Sequence, residues 1–365
     1  MSGSAQALKK RVVVAMSGGV DSAVAAGLLA QEGHDVVGVT LQLADLSAEG
    51  LGVSRCCSPT DVEMARAVCD RLGVPHHVLE MGAAFRRAVI EPFVESYLAG
   101  ETPLPCVACN AKLKFGELLD LAGRFDAEAL ATGHYARVER EGDSCVLRRG
   151  RDRGKDQSYF LFALRPCQLE RVRLPLGGLT KRRVRAIAAE LGFPNAGRQD
   201  SQEVCFVPEG GSYVQVLEKL APRRLPGEGE VVDHSGRVLG RHGGYHRFTV
   251  GQRRGLGVAD GRRLYVLEVQ PETNRVVVGT QEEASRTRLL LREVNWLAPH
   301  TGDVVDAEVQ VRSRHQPVRA IVQLARDGTA QVDFAEPVLS PAPGQAAVCY
   351  DGDMLLGGGW IAATS

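Results

Sequence analysis

The sequence lacks the features that would direct it to a membrane or out of the cell. No apolar run approaches the roughly 18 residues that a membrane-spanning helix needs. The first apolar run, Val12–Met16, is too short for a secretory signal and leads directly into a glycine turn. The nine cysteines are odd in number and irregular in spacing, which does not indicate a disulfide framework. We therefore expect a cytoplasmic protein with no membrane partner.

The chain also lacks a net charge, because 44 Lys and Arg balance 44 Asp and Glu. The total therefore predicts no nucleic-acid partner. The distribution is uneven, since residues 146–200 hold 13 basic and 5 acidic side chains. A local basic patch is the usual footprint of RNA binding, but a solvated helix face has the same composition. Both interpretations stay open on charge alone.

Short apolar segments alternate with amphipathic ones over the first 200 residues, which predicts a parallel sheet covered by helices on both faces. Ligands of such sheets bind beyond the carboxyl ends of the strands, where Ser17–Ser22 and Thr132–Tyr135 would lie. The predicted strands are Arg11–Ala15, Asp35–Leu43, His76–Leu79 and Glu128–Ala131, and the predicted helices are Asp21–Glu32, Asp61–Leu72, Phe85–Leu98 and Ala111–Arg124.

After about residue 209 the pattern changes to short strands separated by turns, which predicts an all-β module at the carboxyl end. Asp-Gly at 327–328 is typical of a hairpin turn. The strands predicted here are Tyr245–Val250, Arg263–Val269, Arg275–Val278, Asp306–Arg312, Val318–Leu324 and Ala330–Phe334.

The most specific motif is the string Ser17-Gly18-Gly19-Val20-Asp21-Ser22, between a predicted strand and a predicted helix. Two glycines allow the backbone to approach a phosphate closely, and the helix N-terminus offers unpaired N–H donors and a positive dipole end. Ser17 and Ser22 can add hydroxyl donors, and Asp21 can hold Mg²⁺. An ordinary tight turn is the alternative. The string resembles the loop of the ATP pyrophosphatases, which cleave ATP to AMP and pyrophosphate.

Three cysteines form a second candidate site. Cys106 and Cys109 make a C-x-x-C motif just before a predicted helix, where a thiol has a lowered pKa, and Cys205 follows much later in the chain. Zinc, redox and cluster sites share C-x-x-C, and lone cysteines are often buried packing residues. The spacing alone therefore leaves the role of these thiols open. Cys69, Cys145, Cys167 and Cys349 are interpreted as packing residues.

Taken together, the motifs resemble those of the tRNA-specific 2-thiouridylases, enzymes that place sulfur on C2 of the wobble uridine of certain tRNAs. The resemblance runs nearly from end to end. It rests on Met16–Ser22, Cys56-Cys57-Ser58, Thr102–Phe115, Ala131–Val138, Lys155–Leu161, Leu176–Ala188, Asp200–Phe206, Gly240–Leu256 and Pro343-Gly344-Gln345.

This resemblance implies an α/β fold with three parts. An ATP-pyrophosphatase domain (1–209) with a parallel sheet would be followed by a small central domain (210–282) and a C-terminal β-barrel (283–365). It also implies an ATP site, with Mg²⁺, formed by Ala15, Met16, Ser17, Gly18, Gly19, Val20, Asp21, Ser22, Leu41 and Gly133.

The resemblance further implies which residues meet tRNA. Leu104, Pro105 and Cys106 match the stretch beside the target base. Further tRNA contacts are implied at His134, Lys155, Asp156, Gln157, Ser313, Arg314 and Gln345. In the implied reaction ATP adenylates the C2 oxygen of a uridine turned out of the anticodon loop, and sulfur then displaces AMP. A sulfur donor, such as a cysteine desulfurase or a sulfur-relay protein, would be the second partner.

One departure from the family concerns the sulfur route. Many members have Asn-Pro-Asp where this chain has Leu104-Pro105-Cys106, so a thiol replaces a carboxylate. Members with C-x-x-C here resemble iron–sulfur-dependent thiolases, which makes Cys106, Cys109 and Cys205 candidate ligands of a [4Fe–4S] cluster with one open iron. The alternatives are a persulfide on Cys205 with a disulfide-forming Cys109, or a zinc site.

Two other functions remain as alternatives. The same ATP loop serves AMP-forming amide ligases, which need ammonia and no tRNA. A non-catalytic iron–sulfur or tRNA-binding protein would keep the binding residues without releasing pyrophosphate, although the intact Ser17–Ser22 string argues against it.

Overall fold

The computed structural model describes residues 10–43, 58–199, 204–208, 210–258, 261–299 and 302–365. Cys56, Cys57 and the stretch 200–203 lie outside the described residues. The described chain divides into two compact units. Of the described residues, the first unit contains 10–43, 58–86, 109–199 and 204–208, and the second contains 87–108 and those from 210 onward.

The helices include two segments wound as π-helix. Among the described residues, no helix is long and apolar enough to cross a membrane. The α-helices are α1 (Val20–Gln31), α2 (Pro59–Leu72), α3 (Gly82–Phe85), α4 (Glu91–Leu98), α5 (Pro105–Ala108), α6 (Leu119–Ala122), α7 (Pro166–Leu169), α8 (Lys181–Glu190) and α9 (Tyr213–Leu220); the π-helical segments are Arg86–Ile90 and Cys109–Leu118, and 3₁₀ turns cover Gly123–Phe125, Ser158–Leu161 and Tyr245–Arg247.

The described residues form seventeen strands, numbered in chain order. They are β1 (Arg11–Ala15), β2 (Asp35–Gln42), β3 (His76–Glu80), β4 (Ala129–Ala131), β5 (Ala136–Glu141), β6 (Ser144–Arg149), β7 (Val172–Arg173), β8 (Gly229–Val232), β9 (Val238–His242), β10 (Tyr265–Gln270), β11 (Arg275–Gly279), β12 (Ser285–Trp296), β13 (Val304–Gln310), β14 (Val318–Leu324), β15 (Ala330–Leu339), β16 (Ala346–Asp351) and β17 (Met354–Thr364).

The first unit is built on a five-stranded parallel sheet in the order β3-β2-β1-β4-β7. The interior of β1, Val12–Val14, is almost completely buried, as expected for a strand covered on both faces. β2 and β4 flank β1 on opposite sides, so the strand order reverses at β1. Loops that follow β1 and β4 therefore enclose a crevice at the carboxyl edge, where open α/β sheets bind ligands.

The second unit contains two all-β modules. Strands β10-β11-β8-β9 form a small sheet around a core that includes Val231, Val266 and Val276. Strands β12-β15-β14-β13-β16-β17 form a barrel, which closes because β12 also pairs with β17. The barrel interior is filled by small and branched side chains such as Val309 and Val322. The predicted fold class, a parallel-sheet ATP-pyrophosphatase domain with a small central module and a C-terminal β-barrel, is confirmed.

Most of the predicted elements lie within about two residues of the observed ones, the usual uncertainty of element ends. The predicted strand Tyr245–Val250 is wrong. Gly244 has a φ of 122°, and residues 245–247 form a 3₁₀ turn. Tyr245 and Phe248 are buried in the core of the small sheet, so the turn buries the apolar residues that favoured a strand.

Candidate active site

The loop after β1 has a backbone that only glycine fits at one position. Gly18 has a φ of 72°. A Cβ there would lie 2.5 Å from the carbonyl oxygen of Asp61, in the first turn of α2. α1 begins at Val20, and its N-cap residue, Gly19, makes no side-chain capping bond. The first N–H groups of α1 therefore have no side-chain cap at the carboxyl edge of the sheet, which suits an anion.

The two serines of the loop have different surroundings. Ser22 is buried, and its hydroxyl donates to the Gly19 carbonyl at 3.1 Å and accepts the Ser17 N–H at 3.2 Å. The Ser17 hydroxyl lies 3.3 Å from the Ser22 hydroxyl and is exposed. Ser22 therefore stabilises the loop, while Ser17 offers a hydroxyl to a ligand.

A cavity of about 200 Å³ opens where the loops after β1 and β4 meet. Gly133 permits this approach, because a Cβ there would lie 2.8 Å from the Ser22 nitrogen. Of the predicted ATP-site residues, Ala15, Met16, Ser17, Asp21, Ser22, Leu41 and Gly133 line the cavity, together with Val39, Leu43, Lys114, Thr132, His134 and Gln157. Gly18, Gly19 and Val20 belong to the same loop and shape its backbone.

One lysine beside this cavity was not predicted from the sequence. Lys181, the first residue of α8, donates from Nζ to both carboxylate oxygens of Asp21 at 2.8 Å. The Tyr135 hydroxyl also donates to Asp21 Oδ1 at 2.8 Å. The Lys181 side chain is only 11% exposed, so its charge is held close to the cavity rather than in bulk water. The side chain predicted to hold Mg²⁺ is thus already paired with a lysine.

A histidine also lines the cavity. His134 Nδ1 lies 2.7 Å from the Thr132 hydroxyl, and its ring lies 5.8 Å from that of Phe115. Burial, reinforced by the positive charge of Lys114, lowers the pKa of His134 well below its usual value. His134 is therefore neutral at physiological pH and can donate or accept a hydrogen bond without adding charge.

The three candidate cysteines have different environments. Cys106 is exposed in the first turn of α5, Cys109 is 7% exposed at the start of a π-helical segment, and Cys205 is half-buried in a turn. The prediction that the C-x-x-C precedes a helix beginning at Ala111 is wrong, because the helical segment begins at Pro105. Proline fits the first turn of a helix, where its missing N–H is not needed. Cys106, rather than Cys109, therefore lies at the helix N-terminus.

No disulfide joins the cysteines that the structure describes. Cys69 and Cys349 are buried as expected of packing residues, whereas Cys167 is exposed and that interpretation of it is wrong. Within the described ranges, no three His, Cys, Asp or Glu side chains come together as a metal-binding group. None of the three candidate cysteines therefore belongs to a metal-binding group within the described residues.

Three family models match the chain in sequence order. They are described as a tRNA methyl transferase HUP domain over residues 10–209, a tRNA methyl transferase PRC-barrel domain over 215–280 and an aminomethyltransferase beta-barrel domain over 286–361. The first alone covers more than half of the chain.

Relatives that align over nearly the whole length carry a more specific name. The chain is 51% identical to the tRNA-specific 2-thiouridylase MnmA of Rhodospirillum centenum, over 96% of this chain and 91% of that protein. It is 48% identical to the protein of the same name from Geobacter metallireducens, over 97% of both chains. For the Acidithiobacillus ferrooxidans protein of that name the identity is 47%, over 97% and 99%. The chain belongs to the tRNA-specific 2-thiouridylase family.

Within this thiouridylase fold, the first unit carries four of the predicted tRNA contacts. His134 and Gln157 lie on the cavity wall. The Asp156 carboxylate is 7% exposed and accepts hydrogen bonds from Arg149, from the Ser158 hydroxyl and from two backbone N–H groups. Asp156 therefore stabilises the loop that presents its neighbour Lys155.

The second unit carries the other predicted contacts. Ser313 and Arg314 are exposed between β13 and β14. Pro105 is buried and Leu104 half-buried beside the exposed Cys106. The Gln345 side chain donates from Nε2 to the Thr102 carbonyl at 3.0 Å, so this amide binds the protein's own backbone.

Proposed function

We propose that this chain is an ATP-dependent tRNA-uridine 2-sulfurtransferase that thiolates C2 of the wobble uridine and acts in the cytoplasm. The observation that carries the proposal is the cavity at the carboxyl edge of the parallel sheet, where the Ser17–Ser22 loop, an uncapped helix N-terminus and Lys181 meet. The near full-length similarity to proteins named tRNA-specific 2-thiouridylase supports the choice of substrate.

ATP would bind with its phosphates against the first N–H groups of α1 and the Ser17 hydroxyl. Leu41 and Gly133 would contact the adenosine. Mg²⁺ bound with ATP would offset phosphate charge, and Asp21 supplies the hard oxygen donors that this ion prefers. Lys181 lies within reach of the same phosphates because it already contacts Asp21.

In the first step the C2 oxygen of the uridine attacks the α-phosphorus, and pyrophosphate leaves. Negative charge that develops on the phosphoryl oxygens would be stabilised by the α1 N–H groups and by Lys181, which are fixed before the reaction begins. A neutral His134 on the cavity wall would orient the base through hydrogen bonds without adding a charge. The adenylated oxygen then leaves C2 far more readily than a free carbonyl oxygen.

In the second step sulfur attacks C2 and AMP leaves. In the persulfide route Cys205 carries the terminal sulfur, delivered by a cysteine desulfurase or a relay protein. The terminal sulfur attacks C2, the bond from C2 to the adenylated oxygen breaks, and the base stays joined to Cys205 through an S–S bond. The Cys109 thiolate then attacks the Cys205 Sγ and that S–S bond breaks, so that 2-thiouridine leaves and a Cys109–Cys205 disulfide remains for an external thiol to reduce. The [4Fe–4S] route would use Cys106, Cys109 and Cys205 as ligands. We derive no step through a cluster, since the described residues do not gather these ligands.

The test of the function is mass spectrometry of nucleosides from tRNA incubated with the protein, ATP, Mg²⁺ and a sulfur donor under anaerobic conditions. We expect 2-thiouridine, together with pyrophosphate release that depends on tRNA. Pyrophosphate release that depends instead on ammonia and a small carboxylate would identify an amide ligase. Tight tRNA binding without pyrophosphate release would identify a non-catalytic protein.

The sulfur route needs its own measurement, which is iron and acid-labile sulfide per chain after anaerobic purification. If the protein holds a [4Fe–4S] cluster, we expect about four iron and four sulfide per chain. Cys106→Ala would remove them, whereas the control Cys167→Ala, at another exposed thiol, would not. Negligible iron in protein that still thiolates tRNA would support the persulfide route.

A further inference from the structure

Residues 91–104, which lead directly to Cys106 and are called here the approach segment, are fixed along their length within the second unit. Glu95 forms a bidentate pair with Arg224, both distances being 2.7 Å. Tyr97 stacks on Tyr213 with ring centroids 4.6 Å apart. Leu98 accepts a hydrogen bond from the Tyr245 hydroxyl at 2.7 Å. The first part of the approach segment therefore contacts residues 213–245, and its last part contacts the barrel.

Closer to the cysteine, the barrel supplies a second bidentate pair. Arg292, on β12, donates from its two terminal nitrogens to the two carboxylate oxygens of Glu101, both at 2.9 Å. The Glu101 side chain is 22% exposed, so the pair is partly shielded from water. Hydrogen bonding to Glu101 raises the pKa of Arg292. Bidentate Arg–carboxylate pairs fix orientation as well as distance, which exposed single contacts do not.

Both backbone polar groups of the next residue, Thr102, are hydrogen-bonded to the barrel module. The Thr102 N–H donates to the Pro343 carbonyl at 2.8 Å, and the Thr102 carbonyl accepts from Gln345 at 3.0 Å. Gly344, between these two partners, has a φ of 83°, and a Cβ there would lie 2.9 Å from the Glu101 Cβ. The positive φ and the close contact with Glu101 therefore require glycine at 344, and the turn 343–345 packs against the approach segment.

We propose that Arg292 and Gln345 are positioning residues, which hold the approach segment so that Leu104–Cys106 is presented to the target base and to the incoming sulfur. The inference rests on the proposed function. Its physical basis is that misplacing a reacting group by about 1 Å lowers the rate by up to about 100-fold. Gln345 acts in this way through Thr102, which differs from the direct tRNA contact that the sequence implied.

The chain offers a matched control for the test. Arg292→Met breaks the bidentate pair next to Cys106, and Arg224→Met breaks the bidentate pair at Glu95, at the far end of the same segment. Hydrogen–deuterium exchange of the peptide that contains Thr102 reports on the segment without tRNA or ATP. We expect Arg292→Met to speed that exchange about ten-fold and Arg224→Met to leave it unchanged.

Turnover provides the second readout. We expect Arg292→Met to lower kcat for 2-thiouridine formation about ten-fold with an unchanged KM for ATP, and Gln345→Leu to act in the same direction. The double variant Glu101→Arg, Arg292→Glu restores the pair with reversed charges and should recover most of kcat and slow the exchange again. Arg292→Lys, which keeps the charge but loses the bidentate geometry, gives an intermediate result and replaces Arg292→Met if that variant does not fold.

The proposal would be overturned if Arg292→Met had the same exchange rate and the same kcat as the wild type. It would also be overturned if Arg224→Met changed the exchange rate and kcat as much as Arg292→Met does. A wild-type protein that makes no 2-thiouridine would refute the proposed function instead. The exchange experiment would then still decide whether Arg292 fixes the approach segment.

Discussion

Replacing Gly18 by alanine tests the geometry of the nucleotide loop. At a φ of 72° the left-handed backbone alone costs alanine about 1–2 kcal/mol. The added Cβ would also lie 2.5 Å from the Asp61 carbonyl oxygen and 2.8 Å from the Asp61 Cα. Asp61 cannot move aside easily, because its carboxylate binds the Ser58 N–H and hydroxyl and pairs with Arg198 at 2.6 Å. We expect a loss of about 2–4 kcal/mol in the free energy of unfolding.

The neighbouring glycine is the control. Gly19 has a φ of −80° and a ψ of 160°, which any residue adopts, and a Cβ there would meet only the Ser17 hydroxyl at 3.4 Å. Gly19→Ala should therefore lose less than about 1 kcal/mol. Urea denaturation without nucleotide should be followed by circular dichroism, because both tryptophans, Trp296 and Trp360, lie on barrel strands. Equal losses in the two variants would refute the steric argument.

Three further predictions concern charge and reactivity. Lys181→Met should weaken ATP binding about ten-fold, since a hydrogen bond to a charged group contributes about 1.5–3 kcal/mol; unchanged affinity by calorimetry would contradict it. Burial and the charge of Lys114 keep the pKa of His134 low in the folded chain. As the pH falls through about 6.5, only the unfolded chain takes up a proton at this histidine, so the free energy of unfolding decreases. Between pH 7 and 5, His134→Gln should reduce the dependence of the free energy of unfolding on pH by up to about 1.4 kcal/mol per pH unit. Urea denaturation at each pH measures this dependence, and an identical dependence in the variant would show that His134 does not cause it. Burial raises the pKa of Cys349 to about 12, so iodoacetamide at pH 8 should label Cys106 and spare Cys349 in peptide mapping.

The parallel sheet could be predicted because its central strands are apolar on both faces. β1 was predicted with its observed bounds, Arg11–Ala15. α2 begins at Pro59, two residues before the predicted start, because Ser58 and Asp61 form a reciprocal capping box. Capping of this kind depends on which of several nearby polar residues takes the N-cap position, and apolar periodicity does not report it.

The β5–β6 hairpin was not predicted, because only the first four residues of β5 alternate apolar with charged side chains and β6 does not alternate at all. Arg148 pairs with Glu139 and Glu141 across the hairpin, and Arg149 pairs with Asp156. Part of the positive charge counted between residues 146 and 200 is therefore balanced by neighbours in space. A count of charges along the chain therefore overstates the positive potential at the surface, because it leaves out ion pairs that form across strands.

The Asp21–Lys181 pair shows what local motifs omit, since 160 residues separate its members. A physical signal for it was nevertheless present. Val184, Ile187 and Ala188 are buried against α1, so helical spacing places Lys181 on the same face of α8, one turn earlier. A lysine on a buried face needs a carboxylate partner, because an unpaired charge there costs several kcal/mol. Asp21 is the acidic residue in the first turn of α1. Helix periodicity, combined with the requirement to pair a buried charge, thus links α8 to the nucleotide loop, which the loop motif by itself does not.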